Sequence, residues 1–199
     1  MTDQKRPYRK RRRAELEQET RRRITESAVA LHGTLGPAQT SMSAIAEHAG
    51  VRRSTLYRHF ADEDSVFVAC SAHWRADNPM PDLAGWAAIR DLDERLEFSL
   101  NELYAFYERT EKMMSNVLRD EGLVPIVGEL LDGFRGFLDA ARELLMEGRR
   151  RRGAARTRLQ AALGHALAFH TWRSLVREQG LSNAQAAEMM CQFVAAIRY

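Results

Sequence analysis

The chain is poor in cysteine and has no long apolar run. Its 199 residues include two cysteines, Cys70 and Cys191, which lie far apart in stretches predicted to be helical. Reduced thiols are the usual state of such cysteines in a cytoplasmic protein. No run of about 18 apolar residues predicts a membrane span, and the charged N-terminus lacks the apolar segment of a signal peptide. We therefore expect a cytoplasmic protein without disulfides.

Residue groupings that carry enzymatic or metal chemistry are also missing. The sequence has no glycine-rich phosphate loop and no nucleophile beside a base. No acidic residue stands three positions before a histidine, as a di-iron helix would require. Cys70 and His73 could face the same way, but two ligands do not make a metal site. We expect no enzymatic activity, no cofactor and no metal, with an all-helical enzyme as a minor alternative.

Lysine is scarce, because 27 of the 30 basic residues are arginine. The net charge of +3 is distributed unevenly: residues 1–60 contain 13 basic and 6 acidic side chains, whereas residues 61–199 contain 17 and 21. A basic N-terminal part followed by a mildly acidic remainder is the pattern expected when only the N-terminal part binds DNA. Since arginine is used nearly everywhere, a single arginine is weak evidence for base reading.

Residues 40–60, TSMSAIAEHAGVRRSTLYRHF, predict two short helices joined by a glycine turn. Ser41 is placed to cap the first helix, and Gly50 stands where the chain must leave it with a positive φ. Leu56 and Phe60, four residues apart, form the inner face of the second helix. This is the layout of a helix-turn-helix, whose second helix lies in the major groove of DNA.

The outer face of the second helix is rich in hydrogen-bond donors that suit phosphates and guanine edges. A merely solvated polar helix is the alternative interpretation. The residues expected to contact DNA are Ser41, Ser43, Arg52, Arg53, Ser54, Thr55, Tyr57, Arg58 and His59.

Residues 15–33 have the apolar spacing of a helix that completes a three-helix core. The basic run before it, KRPYRKRRR, has no apolar face to bury, so we expect residues 1–19 to be a disordered arm. Such an arm can enter a minor groove or contact phosphates, although it can also be a solubilising tail.

The remainder of the chain predicts further helices and no strands, because nothing alternates with a period of two. The predicted helices cover about 63–73, a long stretch from Asp91, a shorter one at 112–120, one from Pro125 to near Gly148, and two final ones at 154–179 and 183–198. The fold class is therefore all-α.

The helix-turn-helix residues resemble the N-terminal pattern of the tetracycline-repressor (TetR) family over roughly residues 20–70. The matching positions are Thr40-Ser41, Ile45-Ala46, Ala49-Gly50-Val51 and Thr55-Leu56-Tyr57-Arg58-His59-Phe60. Three positions depart from the usual pattern: Arg52 replaces a small capping residue, Ser54 replaces a glycine, and Glu63 replaces a lysine that touches phosphate. The rest of the chain agrees with the family in length and helix count.

The resemblance implies a homodimeric repressor. The two final helices would form a four-helix bundle with a second subunit, and the middle helices would enclose a ligand pocket. A small effector would then release an operator with inverted half-sites. Arg53 would read bases, Ser54, Tyr57 and His59 would bind phosphates, and Ser43 would reach a base edge.

On this reading residues 1–19 are the arm, residues 20–65 the DNA-binding domain and residues 66–199 the ligand-binding and dimerisation domain. Apolar and aromatic side chains typically line small-molecule pockets, which favours an apolar or aromatic effector. A DNA-binding regulator without small-molecule control is the alternative. The candidate pocket residues are Trp86, Phe98, Tyr104, Tyr107, Met113, Phe134, Phe137, Phe169 and Trp172.

Overall fold

The computed structural model describes residues 5–197. Helices joined by turns and loops make up this part of the chain, and it contains no strand. Within this part of the chain, none of the helices is long and apolar enough to cross a membrane. A 3₁₀ turn at Pro37–Gln39 separates the first two helices. The helices are α1 Lys5–Thr34, α2 Met42–His48, α3 Arg53–His59, α4 Glu63–Asp77, α5 Leu83–Ala88, α6 Leu92–Asp120, α7 Pro125–Met146, α8 Gly153–Leu167, α9 Phe169–Arg173 and α10 Asn183–Ala195.

The chain divides into two compact units, and the first contains the helix-turn-helix. This unit comprises the chain up to Asp77 together with Lys112–Leu130. Apolar side chains of α1, α2, α3 and α4 meet in its core, as the period of their apolar residues predicts. The buried core residues include Ile24, Ala28, Ile45, Leu56, Phe60, Val66 and Phe67.

The N-terminal arm differs from the prediction of disorder. Residues 1–4 lie outside the described part of the chain, and α1 begins at Lys5. Exposed ion pairs one helical turn apart, Arg11–Glu15 and Arg13–Glu17, link successive turns of this segment. Such pairs stabilise an isolated helix by about 0.2–0.5 kcal/mol each. The prediction of disorder rested on the arginines alone and did not consider the glutamates four residues after them, which favour the helix seen here.

The second unit comprises Asn78–Glu111 and the chain from Leu131 onward. It contains α5, which no sequence pattern predicted and which the Asp82 carboxylate caps through the N–H groups of Ala84 and Gly85. A capping box begins α10, with Ser182 and Gln185 bonded reciprocally. The helices predicted from Asp91 and at 112–120 are one continuous α6.

The helix predicted at 154–179 is interrupted. Ala168 has the extended angles φ −73° and ψ 136°, which separate α8 from α9, and a π-helical turn follows at Ser174–Glu178. The break frees backbone carbonyls, and two tyrosines of α6 satisfy them. The hydroxyl of Tyr104 donates to Ala166 O at 2.9 Å, and that of Tyr107 donates to Leu167 O at 2.6 Å. Burial raises the pKa of both hydroxyl groups, so they stay protonated donors.

Candidate DNA-binding site

The turn between α2 and α3 has the predicted local structure. Ser41 Oγ accepts the N–H of Ala44 at 3.2 Å and caps α2. Gly50 has φ +64°, a left-handed conformation that residues with a side chain rarely adopt. The N–H of Val51 returns to Ala46 O at 2.9 Å and closes the turn. The N-cap of α3 is Arg52, whose side chain makes no capping bond, as its departure from the family pattern suggested.

The outer face of α3 carries the side chains expected to contact DNA. Leu56 and Phe60 are buried beneath it, so the orientation of the helix agrees with the sequence pattern. The side chains of Thr55 and His59 are only partly exposed. The exposed residues are Arg52, Arg53, Ser54, Tyr57 and Arg58.

Residues from both helices of the motif line a surface cleft of about 410 Å³. Ser41 and Ser43 from the start of α2 line it together with Arg53 and Tyr57 of α3, and Glu63 of α4 is also in its lining. Arg53 Nη2 donates to the Tyr57 hydroxyl at 3.3 Å, and its guanidinium lies 5.5 Å from the ring centroid. The contact with Tyr57 therefore limits the rotamers that the Arg53 side chain can adopt at the surface.

His59 is one of the two predicted contact residues that are only partly exposed. Its Nε2 atom is buried and has no hydrogen-bond partner among the described residues. Burial lowers the pKa of its imidazole, and the positive charge of Arg58 lowers this pKa further. The ring is therefore neutral at pH 7 and offers a phosphate at most a single neutral hydrogen bond.

Two side chains near the end of α6 contact the end of α1, and no sequence motif marked either of them. Asn116 Nδ2 donates to His32 O at 3.0 Å, and Arg119 Nη2 donates to Leu35 O at 2.9 Å. Both carbonyls belong to the C-terminal turn of α1 and the residue after it, where a helix leaves carbonyls without internal partners. The paired residues are 84 positions apart, so no local pattern could have revealed them.

Most of the predicted pocket side chains form one buried aromatic cluster in the second unit. Tyr107 lies at its centre, with ring centroids of Phe169 at 5.3 Å, Trp172 at 5.8 Å and Phe134 at 6.3 Å. Internal partners also satisfy the polar atoms. Trp86 Nε1 donates to Glu102 at 2.6 Å, and Trp172 Nε1 donates to Asn183 at 2.9 Å. The members are Trp86, Tyr104, Tyr107, Phe134, Phe137, Phe169 and Trp172.

Two candidate pocket residues lie outside this cluster. The Phe98 side chain is 46% exposed on α6, so its prediction as a pocket residue was wrong for the chain as described. Met113 belongs to the first unit, where its terminal methyl group packs against Gly33 of α1. Among residues 5–197, no group of three or more His, Cys, Asp or Glu side chains could hold a metal ion.

The fold is similar to those of several solved bacterial proteins. FadR of Bacillus subtilis, solved with stearoyl-CoA, has a TM-score of 0.63 and 14% identity, covering 89% of this chain and 98% of that one. A TetR-like regulator from Rhodococcus sp. RHA1 has a TM-score of 0.58 and 18% identity, covering 88% and 94%. A proposed regulator from Saccharomonospora viridis, solved with choline, has a TM-score of 0.60 and 19% identity, covering 90% and 97%. At such identities these matches show a shared fold.

No curated protein matches the chain. The model of the bacterial regulatory proteins of the tetR family matches residues 24–70. That match spans the helix-turn-helix described above, including the Gly50 turn and the outer face of α3. Residues 24–70 therefore carry the DNA-binding domain of the tetR family of bacterial regulatory proteins.

Proposed function

We propose that the protein is a homodimeric repressor that a small apolar or aromatic effector releases from an operator with inverted half-sites. The observation that carries the proposal is the surface cleft in which Ser41, Ser43, Arg53 and Tyr57 lie together. Arginine and hydroxyl donors at one surface match the acceptors of phosphates and guanine edges. The support that Tyr57 gives Arg53 favours Arg53 as the base reader, because a held guanidinium loses less freedom on binding.

The apolar surface of α10 supports the proposal of a dimer through the two final helical segments. The side chains of Met189 and Phe193 are 44% and 43% exposed, one helical turn apart. Large apolar side chains exposed together on a helix face commonly mark a protein interface. A two-fold dimer presents two copies of α3 in opposite orientations, which is the reason to expect inverted half-sites.

Effector control has two supports. The aromatic cluster around Tyr107 supplies the apolar and aromatic surface that small-molecule sites use. The bonds of Asn116 and Arg119 to the end of α1 make the α6 terminus part of the DNA-binding unit. A displacement of this terminus would change the position of α1 and hence of the motif packed on it.

The two ligands named for similar structures, stearoyl-CoA and choline, differ greatly in polarity. The shared fold therefore fixes no effector class, and the aromatic cluster is what favours an apolar one. The alternative is a regulator without small-molecule control. It is supported by the packing of the cluster rings against one another at centroid distances of 5.3–6.5 Å.

Selection from random-sequence duplexes, followed by gel-shift titration, tests DNA recognition. We expect the selected duplex to bind more tightly than about 10⁻⁶ M, the upper range of non-specific affinity. Arg53→Ala should weaken this binding by about tenfold or more, because a bidentate base contact is worth about 1–3 kcal/mol. Arg90→Ala is the control, since Arg90 lies outside the cleft. Equal, weak binding of selected and random duplexes would contradict the proposal.

Thermal denaturation with stearoyl-CoA or choline as separate probes tests effector binding. A probe that raises the melting temperature and lowers affinity for the selected duplex supports effector control. Light scattering at micromolar concentration tests the dimer, and Phe193→Glu should shift the mass toward the monomer. Absence of any probe response across a wider apolar library would favour the regulator without effector.

A further inference from the structure

The two helices of the DNA-binding motif are short. The last carbonyls of each therefore need hydrogen-bond donors from outside the helix. Helices α2 and α3 contain seven residues each. Helices of this length are not stable on their own and depend on tertiary packing. The last four carbonyls of any helix lack partners within the helix, and arginine side chains are suited to bind them.

Arg21 of α1 reaches the end of α3. Its Nη1 donates to the backbone carbonyl of His59, the last residue of the helix. The guanidinium also lies over the Phe60 ring, 4.0 Å from the centroid, and Phe60 is buried in the core. The arginine therefore binds the carbonyl end of α3 and packs on the aromatic residue that anchors it. A positive charge at a helix C-terminus is also favourable to the helix dipole.

Arg23, two residues further along α1, makes the equivalent contact with α2. Its Nη2 donates to the carbonyl of Ala49, the C-cap residue of that helix. The same nitrogen would lie 3.2 Å from a Cβ at Gly50, so Arg23 lies beside the turn that joins the two helices. One segment of α1 thus holds both C-terminal ends of the motif.

Arg22 lies between these two arginines and has a different environment. It pairs with Glu19 at 2.8 Å and Glu26 at 2.7 Å on the solvent side of α1. Three consecutive arginines therefore divide into two that bind backbone carbonyls of the motif and one that forms exposed ion pairs. A reading of the sequence by charge alone would assign all three to DNA phosphates.

We infer that Arg21 and Arg23 are positioning residues, which fix α2 and α3 relative to α1 through their terminal carbonyls and do not themselves bind DNA phosphates. The inference rests on the proposed recognition of DNA through α3. Because α3 has no side-chain cap at its N-terminus, the bond from Arg21 at its other end adds to the restraint that its buried residues provide. Base recognition by α3 then depends on these arginines, whereas the number of phosphates bound does not.

Operator titration over a range of salt concentrations separates the two roles. Arg21→Gln and Arg23→Gln should each weaken binding to the selected duplex by about tenfold, the effect of removing one hydrogen bond to a charged group. The slope of log affinity against log salt should stay that of the wild type. Arg22→Gln is the matched control, with an equal charge change and no expected decrease in affinity. A slope reduced by about one would show that the arginine binds a phosphate, and it would overturn the inference.

Hydrogen–deuterium exchange of the free protein provides a test that needs no DNA. Amides of residues 53–60 should exchange about tenfold faster in Arg21→Gln than in the wild type or in Arg22→Gln. Arg21→Lys keeps a charged donor group, so it should recover most of the protection from exchange and most of the affinity for the selected duplex. This variant replaces Arg21→Gln in the test if the glutamine variant fails to fold. Unchanged exchange would reject the positioning role even if the protein binds its operator. Faster exchange without any operator binding would reject only the proposed function.

Discussion

The carboxylate of Asp120 accepts the backbone N–H of Ala38 at 3.0 Å, across 82 positions of the sequence. Asp120 is the last residue of α6 and is buried, and Arg119 beside it donates to its Oδ1 at 2.7 Å. The hydrogen bond from Arg119, followed by that from Ala38, holds the pKa of the Asp120 carboxyl below its usual value. The carboxylate is thus ionised at pH 7 and holds the α1–α2 connection.

Removal of this carboxylate should destabilise the protein. Asp120→Ala leaves the N–H of Ala38 without its acceptor, and we expect the free energy of unfolding in urea to fall by about 2–3 kcal/mol. Asp120→Asn keeps an acceptor oxygen and should be about half as damaging. Asp132→Ala, which breaks an exposed ion pair with Arg135, should change stability by less than about 0.5 kcal/mol. Equal stability of Asp120→Ala and the wild type would contradict this assignment.

The buried imidazole of His32 should make stability depend on pH. It stacks on Phe67 with centroids 4.5 Å apart and contacts Cys70 Sγ at 3.5 Å, and burial lowers its pKa to about 4. The unfolded chain binds the proton with a pKa of about 6.5, so the stabilisation by the neutral ring is complete above pH 6.5. This stabilisation disappears as the pH falls toward 4, and the decrease should reach about 3 kcal/mol.

Urea unfolding between pH 7 and pH 4 measures this dependence, with His32→Phe as the reference. The phenylalanine preserves stacking on Phe67 and cannot titrate. Carboxylates contribute to the acid sensitivity of both proteins, so the difference between the two curves isolates the histidine. Parallel curves would mean that His32 titrates normally in the folded protein.

Gly36 should not tolerate a side chain. Its φ is +96°, and a Cβ at this position would overlap the guanidinium of Arg119 and the carboxylate of Asp120. Gly36→Ala should lower the unfolding free energy by about 2 kcal/mol or more, through backbone strain and displacement of these side chains. Gly136→Ala in α7 is the control, because it has open space and lies within a helix, and should stabilise by about 0.5–1 kcal/mol. A neutral Gly36→Ala would mean that the α6 terminus can move freely.

Deletion of residues 1–13 should weaken DNA binding and flatten its salt dependence. The log–log salt slope should change by about one for each phosphate that the arm binds. The charge-reversing variant Arg12→Glu, made in the full-length chain, tests the same interaction with DNA while the helix is kept. A deletion that leaves the slope unchanged would show that the arm does not contact DNA.

The parts of the fold predicted from sequence are those fixed by nearby residues. The Ser41 cap, the Gly50 turn and the buried pair Leu56 and Phe60 all follow from short spacings along the chain or from one backbone angle. These requirements are local, and they locate the surface that carries Arg53 with no knowledge of the rest of the chain.

The features that sequence did not predict depend on distant partners. The break at Ala168 persists because tyrosines of α6, about 60 residues away in sequence, donate to the carbonyls beside it. The bonds from Arg21 and Arg23 to carbonyls of the motif are of the same kind. Phe98 and Met113 are apolar residues of α6, but their residue type does not tell which side chains reach the aromatic cluster.

The helical form of the N-terminal segment has a consequence for any nucleic acid that meets it. Arg11 and Arg13 are on the same continuous helix as Ile24, which is fully buried in the core. The charges of these arginines therefore keep a fixed distance and angle to the core. Inserting one residue between Arg13 and Ile24 would rotate them about the helix axis by about 100° and move them along it by about 1.5 Å. A disordered segment would lose about 1–2 kcal/mol of backbone entropy for each residue immobilised on a phosphate backbone. In this helical form, Arg11 and Arg13 have a fixed geometry relative to the core before any such encounter, and the loss of backbone entropy is smaller.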